Sequence, residues 1–165
     1  EIMSSSSKDK KPIARIKDLK IFLDQMNFFN KEKMSIKEMV INKANFFLLR
    51  NDIKFLNDSL NRNFSNKKIK INKSNVFLKN SSDEIITIIK INKANFLFDI
   101  KDLQNKFKLK GNIFSIPFTL EVKTKNDLII EKKLIFKAKS LNLNIFNNYV
   151  KKMINLPLVV IVLHF

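Results

Sequence analysis

Apolar and polar residues alternate with a period near two along most of this chain, and that alternation predicts strands. It predicts a strand in each of the segments 35–50, 67–79, 84–100, 106–123 and 128–146. Turn-forming clusters separate the later ones, at 80–83 (Asn-Ser-Ser-Asp), 101–105 and 125–127. Sequential strands joined by short turns predict an antiparallel meander. Segment 13–29 fits both periods: Ile16, Leu19, Leu23 and Met26 have helical spacing, while Leu19, Ile21 and Leu23 alternate. Segment 51–64 predicts a helix, with Asn51 as its cap, Asp52 in its first turn, and Ile53, Leu56, Leu60 and Phe64 along one face. The expected fold is mainly β with one or two helices, built on a long, curved, groove-like antiparallel sheet.

Three near-copies of one phrase run through the pattern: INKANFFL at 41–48, INKSNVFL at 71–78 and INKANFLF at 91–98. They start 30 and then 20 residues apart, which is not a fixed-period array. It reads as one kind of strand used several times. Ala44, Ser74 and Ala94 share a face with Phe46, Val76 and Phe96, while Phe47, Phe77 and Leu97 take the other. In 84–100, Ile86, Ile88, Ala94, Phe96, Phe98 and Ile100 fall on one face by simple alternation.

The predicted strands exceed the usual five or six residues, and 17 residues at roughly 3.3 Å each would reach ~55 Å. They must therefore curve or contain bulges. The apolar register switches inside two of them. Phe107 and Leu109 give way to Phe114, Ile116, Phe118 and Leu120, and Leu134, Phe136 and Ala138 give way to Leu141, Leu143 and Ile145. Gly111 is the expected bulge, and Pro117, which donates no ladder hydrogen bond, is expected at a bend or an edge.

Composition narrows the function classes. With 165 residues, 45% of them hydrophobic and 28% charged, the chain can fold as one domain with a core. The single glycine excludes Gly-rich phosphate loops and hairpin turns of the Asn-Gly or Asp-Gly kind. Absence of cysteine excludes disulfides and thiolate metal sites. The formal charge of +17 suggests nucleic acid or an anionic membrane. Yet all but Arg15, Arg50 and Arg62 of the 32 basic residues are lysine. Lysine, asparagine, isoleucine and phenylalanine are what an AT-rich genome encodes readily, whereas nucleic-acid readers favour arginine. A solvated lysine surface is the expectation, with a basic nucleic-acid-binding module as an alternative.

No catalytic constellation emerges, and an enzyme, a metal site and a cofactor are not expected. His164 is the single histidine. Asp83 and Glu84, and Asp99 and Asp102, sit at turns where acidic residues are structurally favoured. Ser4 to Ser7 lack the glycines of a nucleophile elbow. Sixteen phenylalanines with one tyrosine and no tryptophan suit a purely apolar surface, either a core or a groove for acyl chains. The polar stretch 1–12 reads as a flexible linker, 13–150 as the β-rich segment, and 151–165 as an apolar tail. That tail is shorter than the about 20 apolar residues a membrane helix needs, so it reads as a strand or a truncated span. The chain is expected to be a segment of a longer protein.

The region 68–147 resembles bacterial AsmA-like proteins, most of all those of AT-rich alphaproteobacteria. The resemblance rests on Asn75 to Leu78, Ile88-Ile89-Lys90, Leu109-Lys110-Gly111, Ile116-Pro117-Phe118 and Leu141 to Asn147. It implies a periplasmic protein held in the inner membrane by an N-terminal helix outside this chain, acting in outer-membrane biogenesis. It also implies a long sheet curled into an apolar groove that conducts phospholipid, with no catalytic residues. Under that resemblance the groove lining falls to Phe96, Phe98, Phe114, Ile116, Phe118, Leu134 and Phe136. The phospholipid is the expected partner, and a β-rich structural or adhesion segment without ligand is a further alternative.

Overall fold

A computed structural model describes residues 2–3, 12–24, 35–49, 52, 67–126, 129–152 and 158–164. The protein is mainly β. Its strands are β1 (Ile2–Met3), β2 (Pro12–Leu23), β3 (Ile36–Leu49), β4 (Lys68–Lys79), β5 (Ile85–Asp99), β6 (Gln104–Ile113), β7 (Ile116–Asn126), β8 (Ile129–Ala138), β9 (Leu143–Lys152) and β10 (Leu158–His164). They form one open sheet whose spatial order is the sequence order. The first and last strands do not pair with each other, so the sheet is not a closed barrel.

Every pairing is antiparallel except β3 with β4, which is parallel. The sheet is therefore mixed rather than a pure meander. The reason lies in the chain between these two strands, which is long enough for the crossover that parallel strands need. The helix predicted over 51–64 falls in that interval and lies outside the described residues, Asp52 excepted. Asp52 is helical, and its carboxylate accepts a hydrogen bond from the Leu49 N–H at 2.7 Å.

The ambiguous segment from residue 13 onward is strand as far as Leu23. The two longest predicted strands are each two strands. What looked like a register switch within 106–123 is the β6–β7 hairpin, turning at Phe114 and Ser115. Both have positive φ, 48° and 65°, the signature of a type I′ turn made without glycine. The switch within 128–146 is a 3-10 turn at Lys139–Leu141, closed by Asn142 with φ 50°. Within the stretch read as a linker, Ile2–Met3 pairs with β2, and the apolar tail contributes β10, antiparallel to β9.

One face of the sheet is apolar from strand to strand; the other is mainly polar but carries Val40, Phe47, Phe77, Ile88 and Ile135. Among the described residues, every buried side chain projects from the same face: Ala14, Ile41, Ala44, Ser74, Ile91 and Ala94 on β2–β5, and Asn105, Leu109, Phe118, Val122, Thr124 and Ala138 on β6–β8. Strand neighbours extend this core, including Phe96, which lies 4.5 Å from Phe107 between ring centroids, and Phe118, 5.4 Å from Phe136. Such ring pairs add about 0.5–1.5 kcal/mol beyond the area they bury.

Candidate functional site

The recurring phrase is a kink. In a regular strand, residues three apart point to opposite faces. Here Ile41 and Ala44, Ile71 and Ser74, and Ile91 and Ala94 all point to the apolar face. The intervening Asn and Lys both turn outward. In β3 and β4 the lysine does this in the left-handed region, with φ of 53° at Lys43 and 47° at Lys73. The same three-residue step occurs in β2 between Ile16 and Leu19. The kinks of β2, β3, β4 and β5 thus line up across the sheet.

The line ends at β6. There Ile91 pairs with Gly111 and Lys93 with Lys110, so β5 carries one residue more than its partner. The bulged strand is β5, at Asn92, and Gly111 sits on the strand opposite. Gly111 needs no left-handed φ. It is required because a Cβ there would stand 2.3 Å from the Lys90 carbonyl oxygen. This also explains a wrong expectation in β5. The extra residue moves Ile89 and Ile91 onto the apolar face and leaves Ile86 and Ile88 exposed on the other side of the alternation, 52% and 42% accessible.

Parallel pairing of β3 with β4 is in register with the repeat, so like meets like. Asn72 donates to Asn42 and Asn75 donates to Asn45, each at 3.0 Å. Asn42 in turn donates to Asp18 at 2.9 Å. The Phe47 and Phe77 rings stack at 5.2 Å. On the apolar side, the buried Ser74 hydroxyl donates to the Asn72 carbonyl at 2.8 Å and accepts from the Ala44 N–H at 3.0 Å. That serine supplies the acceptor the kinked backbone of β3 lacks. The third phrase runs antiparallel, which puts Asn95 opposite Lys70 and Lys108 instead of another asparagine. Its Oδ1 is buried without a partner.

Because the kinks align, cross-strand rows on the apolar face remain continuous. Leu19, Ile41, Ile71 and Ala94 are consecutive register partners on β2–β5. The row continues through Leu109, Leu120, Phe136 and Ile145 on β6–β9. At about 4.8 Å per strand it runs roughly 34 Å at right angles to the strands. A second row parallels it, from Ile21, Met39 and Ile69 to Phe96, Phe107, Val122 and Leu134. It stops at Asn147 on β9. A polar edge follows, where Asn105 and Thr124 are buried beside Lys132. The rows are half-buried in the middle and open toward β2, where Leu19 is 48% and Ile21 49% accessible.

Six of the seven residues expected to line a groove share this face: Phe96, Phe98, Ile116, Phe118, Leu134 and Phe136. Phe114 does not; it is the exposed first residue of the β6–β7 turn. Pro117 pairs with Asn112 beside that turn, beyond the last register partner of β8, Thr119. A proline there costs no ladder bond to β8.

No family model, curated protein or solved structure matches the chain. The site is thus read from its own chemistry. Among the described residues no group of three His, Cys, Asp or Glu side chains can hold a metal ion. No helix among them is long and apolar enough to cross a membrane. The shifted titrations belong to turns and surface pairs. Hydrogen bonds from Lys106 hold Asp99 and Asp102 below the ordinary carboxylate value, and those two acids raise Lys106. Partial burial pushes Glu121 up, but Lys123 and Lys108 outweigh it, so its carboxyl lies below the ordinary value. What the arrangement offers is apolar surface in continuous rows.

Proposed function

We propose that this chain is a segment of a periplasmic envelope-biogenesis protein, held at the inner membrane, whose sheet carries phospholipid acyl chains along its apolar face. One observation carries the reading: the apolar row crosses eight strands, β2–β9, without a polar interruption. A core needs apolar area in any outline, whereas conduction across a sheet needs that area continuous perpendicular to the strands. Each methylene kept from water is worth about 0.8 kcal/mol, so a chain lying along the row is held without any specific contact. Neighbouring positions are chemically alike, so it moves along the row with little change in energy. Movement of this kind asks for no catalytic residue.

The test is the lipid content of protein purified from cells under mild conditions, measured by mass spectrometry of its organic extract. Phospholipid at near-stoichiometric amounts is expected, with Leu120→Asp lowering it sharply. Protein that folds but carries no phospholipid overturns the proposal.

A further inference from the structure

The polar face carries a second feature that acyl binding does not use. One lysine per strand lies along the line of kinks: Lys17 on β2, Lys43 on β3, Lys73 on β4, Lys93 on β5 and Lys110 on β6, with Lys137 on β8. Their alignment follows from register. Lys17 and Lys43 are the residues skipped together between the pairs Ile16–Ala44 and Asp18–Asn42. Lys73 is skipped between Asn72–Lys93 and Ser74–Ile91. Lys93 pairs with Lys110, Lys110 with Thr119, and Thr119 with Lys137. All six lysines are exposed. At about 4.8 Å per strand, the belt runs roughly 29 Å across the sheet.

Among the described residues the carboxylates leave most of this belt's charge uncompensated. Two other acids of the polar face pair with lysines outside the belt: Glu38 with Lys70 at 2.6 Å, and Glu121 with Lys123 at 3.2 Å and Lys108 at 3.7 Å. Asp18, the carboxylate beside the belt, accepts from the Asn42 amide and sets one negative charge against the belt's six positive ones. Lys137 lies over the Phe146 ring at 5.8 Å, and no carboxylate pairs with any of the six among the described residues. Composition explains how many lysines the chain has, not their placement in one line. At Lys43 and Lys73 a side chain that is not glycine or asparagine occupies the left-handed region, a position where glycine fits without strain.

We infer that this belt docks the polar face on an anionic lipid surface. Like charges in a rigid row repel one another and are relieved by a facing surface of opposite sign. The belt itself fits a bilayer surface better than a nucleic acid. Its residues are lysines with Thr119 and Asn144 between and beyond them, and lysine lacks the bidentate fork of arginine. The rings of this face lie to the side of the belt, with Phe47 stacked on Phe77 beneath Arg15 and Phe146 beneath Lys137, rather than alternating with its charges as a base-stacking platform would. The inference stands apart from acyl binding, because it uses the opposite face.

Flotation of the full chain with vesicles tests it. Vesicles of phosphatidylcholine with phosphatidylglycerol should carry the protein up the gradient, pure phosphatidylcholine vesicles should not, and added salt should release it. Lys43→Gly with Lys73→Gly keeps the kinks and removes two charges; adding Lys93→Gln and Lys110→Gln should weaken binding on the order of 100-fold or more. The conservative set Lys93→Arg, Lys110→Arg and Lys137→Arg should keep it. Co-purifying phospholipid should be unchanged in all of these variants, which separates failure of docking from failure of acyl binding. Absence of vesicle binding, binding indifferent to the four substitutions, or tighter belt-dependent binding to single-stranded RNA would each overturn the inference.

Discussion

Gly111→Ala isolates the one place where the aligned kinks meet an unkinked strand. The added Cβ would stand 2.3 Å from the Lys90 carbonyl oxygen, 3.4 Å from its carbon and 3.5 Å from the Phe118 ring. The nearest atoms are backbone, so the contact is relieved only by moving β5 away from β6. Overpacking of this kind costs about 1–3 kcal/mol. An opposing effect has to be subtracted: Gly111 has no positive φ, so alanine would also restrict the unfolded chain, which stabilises by about 0.4–1 kcal/mol. A 2.3 Å contact with backbone falls toward the upper end of the first range, so the net loss is roughly 1–2 kcal/mol. In a chain of 165 residues that lowers Tm by roughly 2–8 °C. Urea unfolding followed by circular dichroism should show a lower midpoint with an unchanged slope. An unchanged or higher midpoint would mean that β5 does not press on Gly111, and that the bulge at Asn92 is misplaced.

Ser74→Ala should cost about 1–3 kcal/mol by urea unfolding, because it leaves the buried Ala44 N–H without an acceptor, and Ser74→Thr should not restore it fully. A double-mutant cycle of Asn42→Ala and Asn72→Ala should give a coupling of about 0.5–1.5 kcal/mol, since the two amides share one hydrogen bond; additivity would show that the ladder adds nothing. Acid should loosen the β5–β6 turn. Asp99 and Asp102 have folded pKa values below 3.8, so their stabilisation is complete above that value and is lost as pH falls through the lower folded values. Lys106→Gln should therefore flatten the acid limb of a pH–stability curve; an unaltered limb would remove the ion pairs from the explanation.

Strand content was legible because side-chain alternation is local, and so was the turn at Asn80, whose amide oxygen accepts from the Ser82 and Glu84 N–H groups. Two hairpins were hidden for a chemical reason. Phe114-Ser115 is not a pair that turns prefer, and the 3-10 turn at Lys139–Leu141 keeps an apolar Leu141 in the pattern. Both turns appeared in the sequence as register slips within over-long strands, and over-length was the signal that each held two. The parallel pairing of β3 with β4 was not legible, since alternation is blind to strand direction. The kink was legible but misread: Ile and a small residue three apart, repeated three times, is the spacing of a bulge if both are to face the core. Face assignments after the kink came out right, and those before it in β5 were reversed. The lysine belt needed register across six neighbouring strand pairs, which no single strand reveals.

The most direct test of the apolar row is where a lipid tail touches. A phospholipid with a photoreactive group on its acyl chain, activated on the intact protein and followed by peptide mapping, should label apolar-face residues such as Leu109, Leu120 and Phe136 across several strands. Labelling confined to the polar-face positions Lys93, Lys110 and Lys137, or none above a lipid-free control, would contradict acyl binding along the row.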